Sequence, residues 1–331
     1  MTSQTIFCRK LTFSDKAFAI RALIITMGAT IIFSASYALA NVTSASAEQA
    51  VNLPETQQPR LVSAGAGVTE LILALAAAPQ LVGIDSTSQI PEKLAPAMTQ
   101  VQRLGYHRML SAEGIIALNP SHVIGSEVMG PESSLNLLTQ ANIHVIKLNS
   151  ATTEQQLMDN IDSLSEIVGK PSSALELKRT LKQQLAQIAD KRSQLTSKPK
   201  VLFLLLQEGR PARVGGKDTA ADLIINLAGG ANAADFDSYK SVSGEGILAL
   251  NPEVILLSHR SEQSMQATAA LFDEVTKQIP LVAHTKAGQQ QAFINLKPEA
   301  LIGGLGLSAI DAADTLANTL VQQFLVTQEI K

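Results

Sequence analysis

The sequence predicts an α/β protein made of two lobes with parallel sheets, which one long interlobe α-helix joins. Short apolar strands alternate with helical patterns before residue 150 and again after residue 200. Between these regions, Leu177, Leu181, Leu185 and Ile188 recur at helical spacing in a charged segment, which predicts a long amphipathic helix. Both lobes are therefore expected to be Rossmann-like, with ligand contacts in the loops that follow the strands.

The first forty residues have the features of a secretory signal peptide. Basic residues up to Arg21 precede an apolar run over 22–35, and small residues over 38–40 offer a cleavage site, with a site near Ala47 as the alternative. A membrane anchor is the competing interpretation, but polar residues break the run and it is short for a span. We therefore predict export to the periplasm.

The export prediction agrees with cysteine usage. The single cysteine, Cys8, lies in the leader, so the exported body has to fold without disulfides. Residues 41–58 are small and polar, and we expect a flexible N-terminal segment there. The chain has a net charge of −3 and no basic stripe, which argues against nucleic acid as a partner.

The elements follow in order along the chain. For the N-terminal lobe, residues 59–170, the patterns predict strands near 60–63, 81–84, 122–125 and 144–148, and helices over 68–77, 112–118, 135–141 and 153–168. The interlobe helix is assigned to residues 171–197, and its helical pattern over 172–195 would reach about 36 Å at 1.5 Å per residue. The C-terminal lobe, residues 198–331, has predicted strands at 201–206 and 254–257 and a predicted helix over 220–227.

A repeated segment links the two lobes. Residues 111–120, SAEGIIALNP, match residues 243–252, SGEGILALNP, at eight of ten positions. A predicted strand follows each copy, and a tyrosine, Tyr106 or Tyr239, precedes it. Two copies are too few for a solenoid, so the repeat predicts two lobes with equivalent helices.

Several motifs give the chain a resemblance to a known family. The most specific is Gly105-Tyr106-x-Arg108-x-Leu110-Ser111-Ala112-Glu113-Gly114, and further marks are RLVSAG from Arg60, VGIDST from Val82, and GGKDTAAD from Gly215 with LAGG from Leu227. From Arg60 to its end the chain resembles the periplasmic haem-binding proteins of haem ABC importers, within the cobalamin- and siderophore-type substrate-binding proteins that have a rigid interlobe helix.

The resemblance implies a function and a set of partners. The expected cargo is haem, ferric protoporphyrin IX, and the expected partner is an inner-membrane ABC permease dimer with its ATPase. The matching tyrosine of that family is the axial ligand of the haem iron, which assigns the metal-binding role to Tyr106. The wider family docks one glutamate per lobe onto permease arginines, which assigns that role to Glu113 and Glu245. A monomer without turnover is expected.

The residue chemistry is consistent with that assignment. Phenolate is a hard anionic donor that favours ferric iron, and haem accepts it. If the segment is extended, Arg108 shares a face with Tyr106 and can steady the phenolate or pair with a haem propionate, whereas His107 points away. The alternative is a purely structural role, in which the tyrosine packs at a helix entrance and the arginine lies on the surface.

Four more residues are candidate ligand contacts. Ser86, Thr87 and Lys217 lie in loops after strands, and Tyr239 is the second-lobe counterpart of Tyr106, with a plain wall position as its alternative. His259 and His284 are candidate second axial ligands by location only, and a surface position is the favoured interpretation for each, so we predict five-coordinate iron. Glu113 and Glu245 also lie in the first turns of their helices, where negative charge is favourable whether or not a partner docks there.

Two other functions compete with haem transport. The same fold could bind a ferric siderophore or a cobalamin-like chelate. Against cobalamin, a phenolate ligand adds little for cobalt. Against a siderophore, whose sites tend to contain several arginines or aromatic residues, the chain has only 4% aromatic residues. An exported α/β enzyme is the second alternative. Because the sequence contains no G-x-S-x-G elbow and no His-x-x-x-His zinc pair, we do not expect an enzyme.

Overall fold

The computed structural model of the protein describes residues 58–207, 210–259 and 268–326. The predicted signal peptide and all but the last residue of the flexible segment lie outside the described residues. In the part of the chain that is described, no helix is both long and apolar enough to cross a membrane.

The N-terminal lobe contains a five-stranded parallel sheet. Its strands are β1 (Leu61–Ala64), β2 (Leu81–Ile84), β3 (Gln102–Arg103), β4 (His122–Ser126) and β5 (His144–Leu148). The helices are α1 (Ala66–Ala74), α2 (Ala112–Ile116), α3 (Glu132–Gln140) and α4 (Glu154–Val168). Every residue of β1 is buried, as expected for a central parallel strand that is covered on both faces. The predicted alternation of strands and helices is confirmed.

The strand order creates a crevice at the carboxyl ends of the strands of this sheet. The order is β3-β2-β1-β4-β5, so the chain moves outward from β1 in one direction and from β4 in the other. Such a reversal leaves a crevice at the carboxyl ends of the two central strands, where α/β proteins bind their ligands. Gly65 follows β1 with a φ of 121°, a conformation that favours glycine, and this residue turns the chain sharply into α1.

The long helix between the lobes is α5 (Pro171–Ser193), with 23 residues. Its length of about 35 Å follows from 1.5 Å per residue. It ends at Ser193, four residues before the predicted end at residue 197. Leu181 and Ile188, on its inner face, are buried. It packs against α4 on one side and against the C-terminal helix α10 (Leu307–Val326) on the other.

The C-terminal lobe contains a six-stranded mixed sheet. Its strands are β6 (Lys200–Gln207), β7 (Arg210–Gly215), β8 (Ala231–Asn232), β9 (Tyr239–Ser241), β10 (Val254–His259) and β11 (Phe293–Asn295). The remaining helices are α6 (Ala220–Ala228), α7 (Gly244–Leu250), α8 (Thr268–Gln278) and α9 (Lys286–Gln289). The order is β11-β10-β6-β7-β9, with β8 beside β6.

The C-terminal sheet differs from the fully parallel one that the sequence predicted. Strands β7 and β9 run antiparallel to their neighbours, while β8, β10 and β11 run parallel to theirs. The reason is the short connection after β6: β7 begins at Arg210, and a parallel return needs a crossover of a dozen or more residues. Sequence patterning did not predict β7.

The two lobes share one apolar core. A contiguous cluster of buried side chains includes Leu71 on α1, Leu181 on α5, Leu204 on β6 and Leu316 on α10. The lobes are thus joined by packed side chains as well as by the chain itself. Bending between them would have to expose part of this cluster to water, which costs about 25 cal/mol for each Å² of apolar surface.

Candidate ligand-binding cleft

A cleft of about 2210 Å³ opens between the carboxyl ends of the strands of the two lobes. Its N-terminal wall includes Thr87, Tyr106 and Ser126, and its C-terminal wall includes Arg213 and Tyr239. Drug-sized ligands occupy pockets of about 300–1,000 Å³, so this cleft has room for a large ligand such as a metal tetrapyrrole.

The segment that carries Tyr106 is anchored by its neighbour. His107 is 2% exposed, and its Nδ1 lies 3.1 Å from Oδ2 of Asp85. The N–H of Gly130 donates a hydrogen bond of 3.0 Å to the carbonyl of His107. The histidine ring is therefore held in the lobe interior, although its edge borders the cleft.

Residues 106–109 form a turn, in which the Met109 N–H donates a 2.7 Å hydrogen bond to the Tyr106 carbonyl, so the extended segment that the sequence analysis assumed is not present. Tyr106 is 41% exposed and lines the cleft, and its ring lies 4.3 Å from the His107 ring, tilted by 53°. In the described part of the chain, its hydroxyl has no hydrogen-bond partner. The phenol is thus available to a ligand in the cleft.

Asp85 is the centre of the network behind this wall. Burial by itself would raise the pKa of its carboxyl, but hydrogen bonds from His107, Ser88, Thr87 and the N–H of Gly65 lower that pKa to about 2. The hydroxyls of Ser88 and Thr87 donate at 2.5 and 2.6 Å, and the Gly65 N–H donates at 3.0 Å. The carboxylate therefore remains charged and ties β1, β2 and the Tyr106 segment together.

Arg108 lines the cleft and is exposed. No residue in the described ranges forms an ion pair or hydrogen bond with its guanidinium. The structure therefore brings Tyr106 and Arg108 to the same wall, as the sequence suggested. An unpaired guanidinium beside a phenol favours anionic groups, both the phenolate and an acidic substituent of the ligand.

Tyr239 faces the same cleft from the C-terminal lobe but in a different setting. It is half-buried, its ring packs edge-on against Phe203 at 6.2 Å, and the Arg213 guanidinium lies 5.6 Å from its ring centroid. Burial raises the pKa of the Tyr239 phenol, while a hydrogen bond with Thr219 and the charge of Arg213 act in the opposite direction. The net result opposes formation of a phenolate.

The other candidate contacts divide into two groups. Ser86 and Thr87 line the cleft, and the Thr87 hydroxyl already donates to Asp85. Lys217 is not among the residues that line the cleft, and its ammonium pairs with Asp235 at an exposed position. We therefore leave Lys217 out of the proposed site.

Sequence reasoning missed Arg213 and Glu70, both of which line the cleft. Arg213 lies on β7, the strand that patterning did not predict, and its Nη2 donates a 2.8 Å hydrogen bond to the Tyr239 carbonyl. Glu70 extends from α1 to the start of α10, where it accepts a 3.1 Å hydrogen bond from the N–H of Ser308. Burial raises the pKa of Glu70, and hydrogen bonds with Ser308 partly offset that rise.

Glu113 and Glu245 lie outside the cleft on α2 and α7, and both are exposed. The helices begin in the same way: the hydroxyls of Ser111 and Ser243 each accept a 3.2 Å hydrogen bond from a glycine N–H in the first turn. Hydrogen bonds from its own backbone N–H and from the Ser243 hydroxyl lower the pKa of Glu245. The repeat thus presents one equivalent carboxylate on each lobe.

Of the two histidines considered as second axial ligands, His284 is not among the cleft-lining residues. The side chain of His259 lies outside what the structure describes. In the residues that the structure describes, no three His, Cys, Asp or Glu side chains come together as a site for a bare metal ion.

Comparison with protein families gives a match over residues 61–300 to the family described as periplasmic binding protein. Two solved structures illustrate the likeness. The periplasmic haem-binding protein HutB of Vibrio cholerae is 40% identical, covers 79% of this chain and 98% of its own, and superposes with a TM-score of 0.70. A periplasmic haem-binding protein from Pseudomonas aeruginosa is 33% identical, with 81% and 94% covered and a TM-score of 0.71.

Curated relatives are more distant and differ in their cargo. The vitamin B12-binding protein of Vibrio parahaemolyticus is 25% identical over 61% of this chain and 71% of its own length. An uncharacterized ABC transporter substrate-binding lipoprotein of Bacillus subtilis, YvrC, is 24% identical over 60% of this chain. The match spans only 62% of that lipoprotein, less than two thirds of its length.

Proposed function

This chain belongs to the periplasmic binding protein family, and we propose that it captures haem in the interlobe cleft and delivers it to an ABC permease. The family and the solved neighbours are substrate-binding proteins of transport systems and not enzymes, in agreement with the sequence-based expectation. Haem is the transported cargo in this proposal, and Tyr106 is the residue that binds its iron.

The observation that carries the proposal is the exposure of the Tyr106 phenol on the cleft wall, above a buried His107–Asp85 pair. Ferric haem accepts a phenolate as its axial ligand, and the metal replaces the phenolic proton at neutral pH. Because His107 is anchored in the interior, the neighbouring imidazole is not free to take the same position. Axial ligation by Tyr106 alone is thus the arrangement that this wall favours.

Arg108 completes the wall with positive charge. Haem carries two propionates, and guanidinium groups bind carboxylates through charge-assisted hydrogen bonds. On the opposite wall Arg213 already donates to the Tyr239 carbonyl, so Arg108 is the better candidate for a propionate partner. Ser86 and Thr87, at the end of β2, add hydroxyl groups to the same wall.

Cobalamin is the second candidate cargo, because several curated relatives are named vitamin B12-binding proteins. Two points favour haem. The two haem-binding proteins described above are 40% and 33% identical to this chain, whereas the B12-binding relatives cited are 25% identical. In addition, a phenolate is a hard donor that suits ferric iron better than the softer cobalt of cobalamin.

A titration of the purified mature protein with haemin tests the cargo, and cyanocobalamin and a ferric siderophore serve as the competing ligands. We expect stoichiometric binding of haemin with the high-spin charge-transfer band of a ferric phenolate complex. Binding of cyanocobalamin together with an unchanged haemin spectrum would show that the cargo is cobalamin and not haem.

Glu113 and Glu245 are the proposed contacts to the permease. Their equivalent positions on the two lobes fit a dimeric membrane protein with two equivalent basic pockets. In a transport assay with reconstituted permease, we expect charge reversal at both glutamates to abolish delivery while haemin affinity stays that of the wild type. Unchanged delivery by the double variant would rule out this docking mode.

A further inference from the structure

Two serines, Ser126 and Ser258, occupy equivalent positions beyond the repeat described above. Ser126 follows Pro120, the last residue of the first copy, at the same distance along the chain as Ser258 follows Pro252. Ser126 is the last residue of β4, and Ser258 is the penultimate residue of β10. The repeat therefore extends through the next strand and ends on a serine in each lobe.

Both serines lie where the strand order reverses. In the N-terminal sheet the reversal lies between β1 and β4, and in the C-terminal sheet β10 lies directly beside β6, the first strand of that lobe. Ser258 is in register with Leu205 of β6. These carboxyl ends are the positions at which α/β sheets contact ligands, and both serines are among the residues that line the cleft.

Neither hydroxyl has a hydrogen-bond partner among the residues that the structure describes. Ser126 is 6% exposed and Ser258 is 0% exposed, and no described residue hydrogen-bonds with either hydroxyl. A buried polar group without a partner costs about 1–3 kcal/mol, so native proteins rarely contain one without a reason. Here the same cost occurs at the same position in both lobes.

Packing does not explain these hydroxyls, because alanine would fill nearly the same space without the cost. A ligand contact does explain them, because a hydroxyl can both donate and accept hydrogen bonds and brings no charge into the buried wall. We propose that Ser126 and Ser258 are ligand-anchoring residues, one in each lobe, whose hydroxyls donate hydrogen bonds to the carboxylate groups of the bound tetrapyrrole. The proposal rests on the proposed haem-binding function.

The two serines are expected to contribute unequally. Ser126 reaches the cleft surface, so rotation about its side chain brings the hydroxyl to a ligand. Ser258 is fully covered, and its hydroxyl becomes accessible after small rotamer changes in the wall, which are common when ligands bind. The larger loss of affinity is therefore expected at Ser126.

The test compares haemin with haemin dimethyl ester, which keeps the iron and the ring but has no carboxylates. For Ser126→Ala we expect the Kd for haemin to rise about tenfold, as for the loss of a hydrogen bond to a charged group, and for Ser258→Ala we expect a smaller rise. The Kd for the dimethyl ester should be the same in the wild type and in both variants.

Ser121→Ala is a matched control at the residue that immediately precedes β4, at the opposite end of that strand from Ser126. The Ser121 hydroxyl accepts a 2.9 Å hydrogen bond from the Arg60 N–H, far from the cleft. We expect this control to lower the unfolding midpoint and to leave the Kd for haemin unchanged. Ser126→Ala should show the reverse: a weaker Kd with an unfolding midpoint that is equal or higher, because no hydrogen bond is lost in the free protein.

The outcomes separate the serine proposal from the proposed function. If the wild type binds haemin and both alanine variants bind it equally well, the serine proposal is wrong and haem transport stands. If the variants lose the same factor with haemin and with the dimethyl ester, the carboxylate is not the partner and the proposal is again overturned. If the wild type binds neither haemin nor its ester, the proposed function itself fails.

Discussion

Each wall of the cleft carries a tyrosine that precedes one copy of the repeat, but the two tyrosines differ in exposure and in hydrogen bonding. On the N-terminal wall Tyr106 is exposed and Arg108 is unpaired among the described residues. On the C-terminal wall Tyr239 is half-buried, hydrogen-bonds with Thr219 and lies beneath Arg213. Two tyrosines at similar positions in sequence thus differ in whether their phenol is available to a ligand.

The residues that follow the two tyrosines also differ. His107 is buried and pairs with Asp85. Lys240 is exposed, with its ammonium 5.0 Å from the centroid of the Phe236 ring. The exposed phenol thus follows from the N-terminal wall's own packing, and the half-buried one from contacts with Phe203 and Arg213.

The largest expected effect is on stability, from removal of the buried anion of the N-terminal wall. Asp85→Ala leaves His107 and two hydroxyls without their acceptor, and we expect the free energy of unfolding to fall by about 3–5 kcal/mol. Asp235→Ala, which removes the exposed partner of Lys217 on the other lobe, should leave stability unchanged within error. Urea unfolding measures both, and equal effects would contradict the contrast between the lobes.

The second effect is on haem affinity. Tyr106→Phe removes the proposed axial donor and keeps the ring, and we expect the charge-transfer band to disappear and the Kd for haemin to rise by more than about hundredfold. The basis is that even the loss of a residue that only orients a metal ligand costs 10–100-fold.

Tyr239→Phe is the matched variant from the opposite wall. Since burial opposes a phenolate at Tyr239, the band should persist in this variant. Loss of the band in Tyr239→Phe but not in Tyr106→Phe would exchange the roles of the two walls.

The third effect is a pH dependence of the free energy of unfolding, which arises from Asp85 in the N-terminal wall. The pKa of Asp85 is about 2 in the folded protein, below its ordinary value of 3.8, so the folded state binds this proton less readily than the unfolded state. The resulting stability, about 2 kcal/mol, is fully present above pH 5 and is lost as the pH falls through 3.8 toward 2. The difference between the acid unfolding profiles of the wild type and of Asp85→Asn isolates the contribution of Asp85. A difference that does not change with pH would contradict the lowered pKa of Asp85.

The smallest effect compares the two arginines of the cleft. Arg108→Ala should raise the Kd for haemin about tenfold, because an unpaired guanidinium can give a charge-assisted bond to a propionate. Arg213→Ala should have a smaller effect, since Arg213 already donates to the Tyr239 carbonyl. Titrations at low and high salt check this order, and the Arg108 effect should decrease as salt increases.

Local patterning was sufficient for much of the fold. The parallel strands of the N-terminal lobe, the long helix near residues 171–193 and the equivalent caps at Ser111 and Ser243 all follow from short-range periodicity and capping chemistry. These features depend on residues that are close in sequence.

Other features depend on residues that are distant in sequence, and only the tertiary structure decided them. The pairing of His107 with Asp85, the antiparallel course of β7 and the burial of Tyr239 under Arg213 each join separate segments. The unpartnered hydroxyls of Ser126 and Ser258 belong here as well, since a sequence shows that a serine is present but not whether a neighbour satisfies it. Periodicity determines which face a residue occupies, whereas the packing of distant segments determines what that residue meets there.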